Sequence, residues 1–189
     1  MRTMLATMKK KKSGIPAEAL PLFENIVQKH EANARPSLPP ECEQEFFAAM
    51  ETHLTQEQRY GVFALAGGCK GTGADKARKL FAIAHAHLPL AERLALFAEE
   101  FDRGGRVLND DGTITVNFKC AHMYYKPKRE KKPFDPPVKM QTYFERCAGG
   151  RLYEMEQALN IKLRIKSVDI SPLEADPTNA VVYTFEVIT

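Results

Sequence analysis

The sequence predicts an α+β fold, with N-terminal helices packed on a C-terminal antiparallel sheet that carries one inserted helix. Three observations predict it. Apolar residues recur at helical spacing as far as Gly104-Gly105, and beyond that point the period changes to two. Between two strand-like runs stands Asn109-Asp110-Asp111-Gly112, a hairpin signal. Residues 1–15 read as a disordered basic tail, 16–104 as a helical region and 105–189 as an antiparallel α+β region, the last two forming one combined domain.

Each element has its own signal. Leu20, Phe23, Ile26, Val27 and His30 follow Pro16 at helical spacing, and Arg35-Pro36-Ser37-Leu38-Pro39-Pro40 breaks the pattern. Phe46, Phe47, Met50 and Leu54 carry a second helix; Thr55 caps a third, with Tyr60, Phe63 and Leu65, that stops at Gly67-Gly68. A fourth runs from Ala74 to Ala86 with Ala77, Leu80, Phe81 and Ala84 on one face. Pro89 opens a fifth through Leu90, Leu94, Phe97 and Phe101. Strands then follow at Arg106-Val107-Leu108 and Thr113 to Cys120. A helix is expected from Cys147 to Leu159, and a strand from Ile161 whose phase slips near Ser167, the mark of a bulge. Val181, Tyr183, Phe185 and Val187 alternate as the closing strand.

Composition narrows the class. A chain of 189 residues buries roughly 70% of its unfolded surface, enough to fold without a disulfide or metal. The net charge of +3, with both signs interspersed, implies neither a nucleic-acid nor a membrane partner. No apolar run approaches the ~18–20 residues that span a bilayer. At the N-terminus the basic residues follow the apolar ones, the wrong order for a secretory signal. Four irregularly spaced cysteines fit a reducing cytoplasm better than a disulfide framework.

The chemistry-bearing residues gather late in the chain. Cys120 and His122 are two apart, so a strand that held to its end would turn both inward. A thiol and an imidazole on one face can ligate a metal, or the imidazole can hold the thiol as a thiolate. Cys120 serves equally as a small core residue. Cys147 at a helix start would have its pKa lowered by the helix dipole, and Gly149-Gly150 would let a ligand or another backbone approach. Cys69, Cys120, His122 and Cys147 together make a set suited to tetrahedral zinc. Gly68 to Gly73 lacks the ending of a phosphate loop. Cys42, beside Glu41 and Glu43, reads as packing, and Glu154 and Glu156, two apart on a helix, do not pair. Lys126, Lys128, Arg129, Lys131 and Lys132 among Tyr124, Tyr125 and Phe134 read as a solvated loop before a nucleic-acid surface.

From Tyr143 onward, about a quarter of the chain, an aromatic residue precedes a cysteine, a small residue and glycine, then an amphipathic helix and a strand. The segment ends on a polar turn and a strand finishing Phe-x-Val. Tyr143, Cys147, Gly149, Leu152, Leu159, Ile161, Leu163, Val168, Ser171, Phe185 and Val187 carry this pattern. It resembles the closing segment of 4-vinyl reductase-type small-molecule-binding domains and is similar to bacterial proteins grouped with 2-aminothiazoline-4-carboxylate hydrolase. That family's metal-binding members carry further cysteines where this chain has Ser171 and Tyr183, so only Cys147 transfers. The resemblance implies helices on an antiparallel sheet and a pocket for a mostly apolar small molecule.

Three functional expectations follow. The first is a binding or sensing protein whose pocket lies between Ile114, Val116, Phe118, Tyr183 and Phe185 and the helices of Phe81 and Phe97, with Cys120, His122 and Cys147 at its mouth. The same residues would also make a plain core. The second is a hydrolase with Cys147 as nucleophile and His122 as base, and the third a zinc protein using the Cys/His set. The expected partners are a small apolar or aromatic molecule and, as a homodimer, a second copy of the chain.

Overall fold

In the computed structural model the described residues are 1–32, 34, 37–68, 72–101, 105–120, 136 and 138–188. Among them are helices α1 (Arg2–Met8), α2 (Leu20–Glu31), α3 (Pro40–His53), α4 (Gln56–Ala66), α5 (Asp75–Ala84), α6 (Leu90–Phe101), α7 (Met140–Leu159) and α8 (Ser171–Ala175). The strands are β1 (Arg106–Leu108), β2 (Thr113–Phe118), β3 (Lys162–Asp169) and β4 (Val181–Ile188). The class is α+β, as the change of period predicts. Two compact units appear: Met1–Gly68 with Pro136–Gly149, and Cys69–Asp135 with Gly150–Thr189. Their boundary falls inside α7, after Gly149.

The described part of the first unit is helical. Its core joins Met4 and Met8 of α1, Phe23 and Val27 of α2, Phe46, Phe47 and Met50 of α3, and Val62 and Phe63 of α4. Phe23 and Phe46 lie 5.0 Å apart between ring centres, and Phe47 and Phe63 6.1 Å. Each such ring contributes about 1.5–3 kcal/mol by leaving water. Thr55 closes a capping box with Gln58 at the start of α4, as its sequence predicts.

Two expectations change here. Residues 2–8 form a helix where a disordered tail is expected. Met4 and Met8, four apart, share a helical face and bury it, while Ser13 Oγ donates to Met8 O at 2.7 Å. The lysine run misled because its charges sit beyond that face. The second change concerns α7, which begins at Met140, about two turns before Cys147. Gly149 and Gly150 lie inside it. A Cβ on Gly149 would stand 1.9 Å from Phe63 O, and one on Gly67 2.6 Å from the Gly149 carbonyl carbon. The glycines let the backbones of α4 and α7 touch, which offsets the cost of about 1 kcal/mol that glycine brings to a helix interior.

In the second unit the sheet order is β1-β2-β4-β3, with every described pairing antiparallel. Val116 faces Tyr183, which faces Val168; Ile114 faces Phe185, which faces Ile165. The register shifts between Ile165 and Ser167, the bulge that the phase slip predicts. In the turn before β2, Gly112 adopts φ +77°, and Asp111 Oδ1 accepts from Thr113 N at 3.0 Å and Thr113 Oγ1 at 2.6 Å. Phe81 of α5 and Phe97 of α6 meet edge to face at 6.0 Å. Leu80 does not join them. It is 57% exposed, because α5 turns Arg78 and Phe81 inward instead.

Candidate ligand site

The inward face of β2 and β4 is nearly all core. Ile114, Val116, Val181, Tyr183 and Phe185 are 0–1% exposed, and Phe97 is 1% exposed. The expected pocket between this face and Phe81 and Phe97 is therefore filled by the side chains expected to line it. Phe118, the last residue of β2, differs in being only partly buried. Its ring stacks on Tyr183 at 5.5 Å and 28°, and Tyr183 meets Phe185 edge to face at 6.2 Å. The other face of Phe118 is covered by a charge: Arg151 Cζ stands 5.0 Å from the ring centre.

Arg151 opens a chain of polar groups centred on the buried Arg78 and Glu154. Its Nη1 lies 2.8 Å from Glu154 Oε2, and Arg78 Nη2 donates to Glu154 Oε1 at 2.9 Å. Arg78 Nη1 reaches Asp75 Oδ1 at 3.2 Å, and the Tyr153 hydroxyl donates to Asp75 Oδ2 at 2.5 Å. That bond to Asp75 raises the Tyr153 pKa above its ordinary value, with burial adding to it. The positions follow from helix geometry. Arg151 and Glu154 are one turn apart on α7, as Asp75 and Arg78 are on α5. Charge is thus held beside an aromatic stack in a water-poor setting.

Sequence reasoning missed these five polar residues. Arg151 and Glu154 flank the buried Leu152 and Met155, so a charged pair interrupting an apolar helix face was the available signal. The rejected carboxylate pair resolves simply. Glu154 joins the two arginines, while Glu156 Oε1 accepts from Leu163 N at 3.0 Å.

The cysteines fall in different units. Cys120 belongs to the second unit, two residues past β2, and is 2% exposed. Cys147 belongs to the first unit, lies inside α7 and is also 2% exposed. It is not at a helix N-terminus, so the dipole argument for a reactive thiolate fails. Cys42 is fully buried, and burial is the main cause that pushes its thiol pKa up. Cys69, His122 and the basic–aromatic stretch 124–134 lie outside the described residues. Among the described residues no group of three or more His, Cys, Asp or Glu side chains could hold a metal. Of the expected ligand-binding residues, the structure brings Phe118 and Tyr183 together.

The second unit also carries an open groove of about 920 Å³ between α5, the end of α7 and the ends of β3 and β4. Among the described residues no helix is long and apolar enough to cross a membrane. No family model matches the chain, and no curated protein or solved structure is similar enough to it to count as a match.

Proposed function

We propose that the protein binds a small aromatic or apolar molecule at the Phe118–Tyr183 stack of its second unit. One observation carries this reading. The inward sheet face is closed everywhere else from Ile114 to Phe185, and at Phe118 it is only partly buried, beneath a guanidinium. A planar ligand would pack against the part-exposed edge of the Phe118 ring, and Arg151 would offer cation–π attraction or a hydrogen bond to its polar edge. The Glu154–Arg78–Asp75 chain would hold Arg151 in place over the ring, leaving the ring edge to the ligand. The resemblance of the closing segment to 4-vinyl reductase-type domains favours the same ligand class.

The test is a thermal-shift panel of neutral aromatics, aromatic carboxylates and aliphatic acids. A ligand at 100 times its Kd stabilises the folded form by about 2.7 kcal/mol, readily seen as a rise in Tm. Some aromatic members should raise the Tm of the native protein and leave Phe118→Ala unmoved. A panel without any shift, or shifts that survive Phe118→Ala, would overturn the proposal.

A further inference from the structure

The outward face of α5 is unusual for a helix with so many charged residues. Lys76, Lys79, Leu80 and Ile83 share it at offsets of three, four and seven, and all four are exposed. Ile83 is 75% exposed and Leu80 57%. A lone exposed leucine means little, but Ile83 lines a concavity. Ala82, Ile83 and Ala86 form one wall of the open groove; Ile161, Val187 and Ile188 supply apolar surface opposite, with Ile188 50% exposed.

The rim is basic. Lys79 and Lys162 line the groove, Lys76 stands one turn before Lys79, and the Lys162 side chain is 76% exposed. Glu156 is the carboxylate among the lining residues. Its Oε1 accepts from Leu163 N at 3.0 Å, and its Oε2 lies 3.8 Å from Lys162 Nζ. The carboxylate thus offsets Lys162, and Lys79 with the neighbouring Lys76 leaves the rim net positive. An apolar floor between lysines matches a segment with apolar side chains flanked by Asp or Glu. A concave site bounded by helix and sheet ends suits an inserted chain better than a flat surface.

We infer that this groove docks an acidic, amphipathic segment of a partner protein, with Ile83 and Ile188 contacting its apolar side chains and Lys79 and Lys162 its carboxylates. The inference is independent of the ligand proposed at Phe118. Charge on such a rim governs on-rate and salt dependence, while the apolar contacts govern how long the partner stays.

The experiment is selection of a displayed random-peptide library on the full-length protein. The enriched peptides are then measured by fluorescence anisotropy against the native protein, Ile83→Asp and the double variant Lys79→Glu/Lys162→Glu. Enriched peptides should combine apolar residues with Asp or Glu, and both variants should weaken them by about tenfold or more. Ile83 is exposed, so Ile83→Asp should keep the native Tm, and unchanged circular dichroism checks both variants. Peptides without acidic residues, peptides whose affinity survives Ile83→Asp, or no enrichment would each overturn the inference. So would a failure to enrich combined with Ile83-dependent binding to anionic phosphatidylserine vesicles, or with an Ile83-dependent dimer in sedimentation, either of which assigns the groove to a different occupant.

Discussion

Helix α7 gives each unit a buried carboxylate, and the two are treated differently. In the first unit Glu145 is fully buried and accepts from Arg59 Nε at 2.8 Å, Arg59 Nη2 at 3.0 Å, and Gln56 and Gln141 at 3.3 Å each. Arg59 in turn donates to Leu54 O at 3.1 Å, and the bond to Glu145 is the leading cause that raises its pKa. Both oxygens of Glu145 are occupied from several sides, and the neighbouring surface is closed by glycine-to-backbone contact. In the second unit Glu154 holds two arginines, one of which spends its flat face on an aromatic ring. A network that satisfies both oxygens of a fully buried carboxylate makes a scaffold. A network that presents a guanidinium over a partly buried ring is the one on which the proposed ligand would rest.

That contrast can be broken at either end. Glu145→Ala should have the largest effect, about 3–5 kcal/mol in urea unfolding, because it leaves the Arg59 guanidinium buried without its carboxylate. Gly149→Ala should follow at about 3 kcal/mol, since the obstacle to its Cβ is the Phe63 carbonyl, which belongs to a helix backbone and gives little. Glu154→Gln should cost less, about 1–3 kcal/mol, because Arg78 keeps Asp75 and the amide still accepts one bond. If Glu154→Gln proved as damaging as Glu145→Ala, the second network would be as purely structural as the first.

Smaller effects sharpen the picture. Cys42, Cys120 and Cys147 should resist iodoacetamide in the native state and react on unfolding, read by mass spectrometry of the labelled peptides. Rapid native labelling of Cys147 would revive the nucleophile reading. On the surface of the first unit, bonds from His30 and then Lys29 hold the Glu45 carboxyl below its ordinary pKa. A depressed carboxylate adds stability above its unfolded pKa of about 4.3 and loses it as pH falls through the lower folded value. Glu45→Gln should therefore narrow the difference in Tm between neutral pH and pH 3, modestly because the pair is exposed.

The legible parts of the fold were those with a strong period. Alternation placed β2 and β4, and even the bulge in β3 left its trace where the alternation slips. The start of α7 was not legible, because Cys147-Ala148-Gly149-Gly150 reads as punctuation when the helix it interrupts is judged alone. The reason for Gly149 inside the helix lies in Phe63 and Gly67, more than 80 residues away in sequence. The site was half legible. Phe118 and Tyr183 follow from strand alternation, whereas Arg151 and Glu154 acquire meaning only when Arg78 is brought to them from a different helix. Leu80 erred the other way: its helix has two competing faces, and the buried Arg78 decides which one turns inward.

The central claim is that Phe118 meets a ligand. It is tested most directly by ¹⁹F NMR of protein labelled with fluorophenylalanine, its Phe118 resonance assigned by comparison with Phe118→Leu and followed during titration with the aromatic compound that most raises the Tm. The account predicts a saturable shift of the Phe118 signal, with the signals of the core rings Phe23 and Phe46 unmoved and the response weakened in Arg151→Met. A Phe118 signal that stays still while the Tm rises would contradict it and place the bound molecule elsewhere.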